Sequence, residues 1–142
     1  MCKLGDIIVI KEFKNEYGEI MPKHSFVVIN DEPDYVEGFR YDFVSNMLCS
    51  FHNGKHKQNK LRYKQTLPVR EEKISGENIN NKEGFIKADQ LYYFDKNKIE
   101  YKTLAHVEPE LLDELVQLIL ELKEEGLLKP IYTNIEEDTI KN

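Results

Sequence analysis

Gly5-Asp6-Ile7-Ile8-Val9-Ile10 is the stretch from which the fold is read. Gly5-Asp6 is a turn signal. The residues after it are β-branched, of strand length, and lack the i, i+3, i+4 spacing of a helix, which predicts a buried strand. Ser25-Phe26-Val27-Val28-Ile29 predicts a second, stopped by Asn30-Asp31-Glu32-Pro33. Residues 40–50 read as a third. Residues 61–69 alternate Leu61, Tyr63, Leu67 and Val69 against Arg62, Lys64 and Thr66, with Gln65 breaking the alternation. Residues 71–84 have the composition of a connecting loop. Phe85-Ile86-Lys87-Ala88 and Gln90-Leu91-Tyr92-Tyr93-Phe94 then predict short strands around Asp89, with Asp95-Lys96-Asn97-Lys98 as a turn.

The pattern changes period only near the end of the chain. Leu111, Leu112, Leu115, Leu118, Ile119 and Leu122 form an amphipathic stripe that predicts a helix over about residues 108–125. Pro109 suits its first turn, Glu108 and Glu110 suit the positive end of its dipole, and Gly126 suits the C′ stop. The expected fold class is therefore mainly β with a C-terminal helix (α+β). Five to seven short strands would make a small, partly open β-barrel carrying that helix. The expected organisation is a single domain over residues 1–130 and a partly flexible tail over residues 131–142.

Composition narrows the function classes. The 142 residues are 40% hydrophobic and 32% charged, too apolar for a disordered chain and too polar for a membrane protein. No apolar stretch approaches the roughly 20 residues of a membrane span. The N-terminus has no apolar h-region, so a cytoplasmic location is expected. Cys2 and Cys49, with no CxxC, fit a reducing compartment. Four scattered histidines do not add up to a zinc site, and neither metal nor cofactor is expected.

Charge is segregated along the chain. The net charge is −6, yet Lys55, Lys57, Lys60, Arg62, Lys64 and Arg70 fall between residues 52 and 70 with no acid among them. That segment reads either as a solvated loop or as a polyanion-binding surface, with His52 and Tyr63 available to stack on bases. Residues 108–138 carry ten acids against Lys123 and Lys129. Such a block can also mimic a polyanion and occupy a basic surface on another protein.

Five segments stand out together: Gly5-Asp6-Ile7-Ile8-Val9-Ile10, Lys23-His24-Ser25-Phe26-Val27-Val28-Ile29-Asn30-Asp31, Asn46-Met47-Leu48-Cys49-Ser50, Phe85-Ile86-Lys87-Ala88-Asp89-Gln90 and the C-terminal helix. In this order they resemble the MazF/PemK toxin family, the ribosome-independent endoribonucleases called mRNA interferases. The resemblance spans roughly residues 5–127 in short, degenerate motifs. It implies an SH3-like barrel of the MazF/PemK/CcdB type, a homodimer, metal-free cleavage of single-stranded RNA, and a cognate antitoxin as partner.

The departures from the family pattern are specific. Lys23-His24 stands where the family usually has Arg-Pro, replacing a bidentate guanidinium by a point charge. Cys49-Ser50 stands for Thr-Ser, keeping the Ser50 hydroxyl and losing the threonine. Lys87 and Asp89 match an arginine and an aspartate that act two residues apart in one branch of the family.

Metal-free RNA cleavage needs a base for the 2′-hydroxyl proton, a cation for the phosphorane and an acid for the leaving 5′-oxygen. Lys23, His24, Ser50, Lys87 and Asp89 are the expected catalytic residues. His52, Lys55, Lys57, Lys60, Arg62 and Lys64 are the expected RNA contacts. Each of the first set also has a structural reading: His24 as a strand-edge histidine bonded to backbone, Asp89 as an Asx-turn residue, Lys87 as a solvated strand lysine. Cys49 reads as a buried hydrophobe rather than a nucleophile. The alternative for the whole chain is a catalytically inactive binding module of the same fold that recruits a protein or nucleic acid.

Overall fold

Ile7 and Ile8 point to opposite faces of strand β1 (Asp6–Ile10), and both are buried, at 2% and 0% exposure. The same holds along β4 (His24–Asn30), where Phe26, Val27, Val28 and Ile29 are all at 0%. Strands covered on both sides have no solvent face to write in polar residues, which is why these two segments are continuously apolar rather than alternating. The computed structural model of the chain describes residues 4–15, 17–30, 44–50, 63–70, 74–75, 84–94 and 99–133.

Between and after these two strands come β2 (Phe13–Lys14), β3 (Ile20–Met21), β5 (Val44–Ser50), β6 (Thr66–Val69), β7 (Ile74–Ser75), β8 (Gly84–Lys87), β9 (Gln90–Phe94), β10 (Tyr101–Val107), helix α1 (Pro109–Glu124) and β11 (Lys129–Thr133). The main sheet runs β11-β9-β5-β4-β1-β10-β7, with β8 beside β5 and β6 beside β8. Its pairings are antiparallel except that of β11 with β9. The fold is thus mainly β with one C-terminal helix, and among the described residues the strand order is an open path that does not close into a barrel.

Two clusters fill the two faces. Leu111, Leu115, Ile119 and Leu122 of α1 lie against Ile7, Val27, Ile29, Ala105 and Val107 on one. On the other, Phe13 from the β2–β3 hairpin, Phe26, Tyr92 and Phe94 make an aromatic layer with Ile8, Ile10 and Ile131. The Phe26 ring meets Tyr92 and Phe94 edge-to-face at 5.1 and 5.4 Å. Helix α1 ends as expected: Gly126 sits at φ 72°. Its N–H donates to the Lys123 carbonyl and that of Leu127 to the Leu122 carbonyl, the two bonds of a Schellman motif.

The differences from the sequence reading are local. Eleven strands are present among the described residues rather than five to seven. Ile74–Ser75, inside the expected loop, pairs with β10. Of the expected strand over 61–69, Thr66–Val69 is extended and residues 63–65 form a turn, while residues 61 and 62 lie outside the described residues. Residues 131–133, assigned to the tail, are the last three of β11, where Ile131 is 4% exposed in the aromatic layer. Residues 40–43 of the expected third strand lie outside the described residues. Among the described residues no helix is long and apolar enough to cross a membrane.

Candidate functional site

Strand β5 has one long partner that breaks in the middle. From Ser45 to Leu48 the chain of β5 advances three residues, while the opposite side advances six, from Ile86 to Tyr92. The surplus is Ala88-Asp89-Gln90, a bulge that separates β8 from β9 and would leave its carbonyls without ladder partners. Asn46, at 0% exposure, fills that gap. Its side-chain amide is shared among the carbonyls of Lys87 at 3.1 Å, Ala88 at 3.4 Å and Gln90 at 3.1 Å.

The bulge forks the sheet, because β6 continues outward from β8 and β11 from β9. Both prongs grip it by main chain: Ala88 N–H donates to the Gln65 carbonyl at 2.9 Å, and Lys129 N–H donates to the Asp89 carbonyl at 2.7 Å. Between the prongs lies a cleft of about 250 Å³. Lys87, Asp89 and Lys129 supply its charges, and Tyr63, 46% exposed, supplies an aromatic ring, while Phe85 in the same lining is buried. Asp89 is only 6% exposed, and its Oδ2 is 3.8 Å from the exposed Lys129 ammonium. Gln90 also lines the cleft, and its Oε1 is buried with no hydrogen-bond partner. Lys64 is ion-paired with Glu125 just past the end of α1, so the turn carrying Tyr63 is tied to the helix.

His24 lies on the sheet face that carries this chemistry. Cys49 pairs with Phe85 across β5 and β8, and Lys87 follows two residues later on the same side of β8. The His24 Nε2 is 3.8 Å from the Cys49 Sγ, and its ring packs edge-on to Phe13 and Phe26. Burial pushes its pKa below the ordinary 6.5, a hydrogen bond with the Leu48 backbone opposes this, and the Lys87 charge pushes it further down. The imidazole is therefore neutral at pH 7 and able to accept a proton.

Of the expected catalytic residues, Lys87 and Asp89 line the cleft, and His24, which does not line it, lies near enough to Lys87 to feel its charge. Lys23 lines a different groove with Lys11 and Lys102. Ser50 ends β5 with its backbone paired to Gly84. Among the expected RNA contacts Lys64 is engaged by Glu125, while His52, Lys55, Lys57, Lys60 and Arg62 lie outside the described residues. Sequence reasoning passed over Asn46 and Lys129. An asparagine inside a strand beside Met47 and Leu48 is a signal for the first, since an apolar strand has no other reason to bury an amide. Nothing local marks Lys129, which reaches the cleft only through the parallel β11–β9 pairing.

Among the described residues no three His, Cys, Asp or Glu side chains group to hold a metal. Comparison with family models, with curated proteins and with solved structures finds no match.

Proposed function

We propose that the chain is a metal-independent endoribonuclease acting on single-stranded RNA, an SH3-like barrel of the MazF/PemK toxin type held in check by a cognate antitoxin. The observation that supports this most is the fork, which gathers two ammonium groups, a buried carboxylate and the exposed ring of Tyr63 around one cleft. The amines match phosphate and the Tyr63 ring matches an unstacked base, the combination that single-stranded nucleic acid requires. In this reading the neutral His24 imidazole takes the proton from a 2′-hydroxyl. The 2′-oxygen forms its bond to the adjacent phosphorus, and the bond from phosphorus to the 5′-oxygen breaks. Lys87 offsets the charge on the phosphorane, and the Lys129 ammonium, oriented by Asp89, delivers the proton to the departing 5′-oxygen. The products are a 2′,3′-cyclic phosphate and a 5′-hydroxyl end.

The test is incubation of a long single-stranded RNA with the protein in EDTA, alongside His24→Gln, Lys87→Ala and Asp89→Asn. Discrete cuts are expected from the native chain, reduced on the order of 100-fold or more in the first two variants. Intact RNA after prolonged exposure to folded protein at micromolar concentration would sink the proposal. The second reading, a binding module without catalysis, draws on the packing of His24 against Phe13, Phe26 and Cys49, a set of contacts that also suits a purely structural histidine. RNA bound with steeply salt-dependent affinity and left uncut would favour it.

A further inference from the structure

A second groove lies beside the neighbouring strands β1 and β10 and the residue that precedes β4. Its volume is about 540 Å³, in the range of small-molecule sites, and Val9, Ile99 and Tyr101 contribute its apolar wall. Three lysines from three neighbouring chain segments converge on it. Lys102 is the cross-strand partner of Val9, while Lys11 follows and Lys23 precedes the Ile10–His24 pair. Like charges gathered around one groove repel, so their convergence favours an anion between them. Glu100 answers only one of them, its Oε2 lying 2.9 Å from the Lys11 ammonium. Lys23 and Lys102 are exposed and make no ion pair with any described residue.

We infer that this groove binds a nucleoside phosphate, with Lys23 and Lys102 on the phosphate and Val9, Ile99 and Tyr101 against the base or sugar. Two uncompensated ammonium groups match the double negative charge of a terminal phosphate better than the single charge of a phosphodiester. The apolar wall gives an aromatic base a surface that a bare inorganic anion would leave unused. The site is independent of the fork, sharing none of its lining residues, and it stands whether or not the chain cleaves RNA.

The experiment is isothermal titration of the full chain with ADP, pyrophosphate and adenosine, and of the Lys23→Gln/Lys102→Gln variant with ADP, with folding checked by circular dichroism. Lys123→Gln, on helix α1 and outside the lining of this groove, controls for the loss of a lysine charge elsewhere. Expected are saturable ADP binding, weaker binding of pyrophosphate and of adenosine alone, a loss of at least about tenfold in ADP affinity in the double variant, and no change in the control. Absence of saturable ADP binding at millimolar concentration overturns the inference. So does ADP binding that survives the double substitution, since the ligand would then sit elsewhere, and so does adenosine binding as tightly as ADP. A single-stranded oligonucleotide titrated in parallel separates the other source of phosphate: affinity for it lost in the double variant, with no ADP binding in the native chain, would assign the lysines to an RNA strand and overturn the small-ligand site.

Discussion

The fork and the lysine groove are both basic hollows in an acidic chain, yet they are built in different ways. At the fork the main chain does the positioning: a three-residue bulge is held by Gln65, Lys129 and the buried amide of Asn46, and the cations stand around a carboxylate that is almost out of solvent. At the groove the main chain joins Lys11 to Glu100 by one hydrogen bond, and the charges are carried on long, exposed side chains, Lys11 and Glu100 meeting in open solvent at 73% and 76% exposure. A site set by backbone can hold a reacting group to a fixed geometry, whereas one set by flexible lysines supplies charge without precision. The fork accordingly suits chemistry and the groove suits binding.

The hardest test of this contrast is Asn46→Leu. It removes the amide donor shared by the carbonyls of Lys87, Ala88 and Gln90 in a buried setting and is expected to cost about 3 kcal/mol in denaturant unfolding, with loss of any cleavage. A cost below about 1 kcal/mol would mean that the bulge is held without its amide and that the two sites are not so different after all.

The next effect is one of pH. His24 has a pKa lowered in the folded chain relative to the unfolded value of 6.5, so the unfolded state binds the extra proton first. Its contribution to stability is complete above pH 6.5 and is lost as pH falls below 6.5 through the lowered folded value. Unfolding measured from about pH 8 to about pH 5 should show this decline, and His24→Gln should flatten it. An unchanged slope in the variant would remove His24 as the titrating group.

Smaller still is the coupling between Asp89 and Lys129. The amine is 69% exposed and the separation is 3.8 Å, so a double-mutant cycle with Asp89→Asn and Lys129→Ala should give about 0.5 kcal/mol or less in stability. Under the proposed chemistry the same pair is strongly coupled in cleavage rate, which distinguishes a functional contact from a stabilising one. The least change is expected from Glu100→Gln. Breaking an ion pair so exposed should alter stability by less than about 0.5 kcal/mol. The freed Lys11 should nevertheless tighten ADP binding to the groove, and weaker binding would show Glu100 to be part of the ligand's contacts.

Legibility from sequence followed the range of the interactions. Helix α1 was readable to within a residue or two because its signals are local: a leucine stripe, Pro109 at the start and Gly126 at the stop. Strands β1, β4, β8 and β9 were readable because buried strands are written as apolar runs. Strand β10 was passed over: Tyr101, Thr103, Ala105 and Val107 do alternate with Lys102, Leu104 and His106, but Thr103 and Ala105 make the apolar side weak and Leu104 interrupts the polar one. Its extension comes from pairing with β1, across a register shift between Ile7 and Ile8. Strand β11 opens with Lys129-Pro130, which reads as a stop, and is ordered by the parallel edge of β9 and by the aromatic layer that takes Ile131. At the site, His24, Lys87 and Asp89 were legible as chemically capable residues, but the departure of Lys23 to another groove was not, because adjacent residues at a strand's start can serve different hollows.

The sequence by itself determined the class of this protein: apolar β-branched runs, punctuated by turns and followed by one amphipathic helix, leave a mainly β fold with a terminal helix as the arrangement that buries them. Periodicity and capping act over a few residues, and one chain carries them in full. Only the tertiary structure decided that the surplus residues at Ala88-Asp89-Gln90 open the sheet, that an asparagine 42 positions before Ala88 secures them, and that Lys129 arrives beside Asp89 from beyond the helix. Those relations depend on register between distant strands, which is set by the sum of all pairings and by packing on two faces at once.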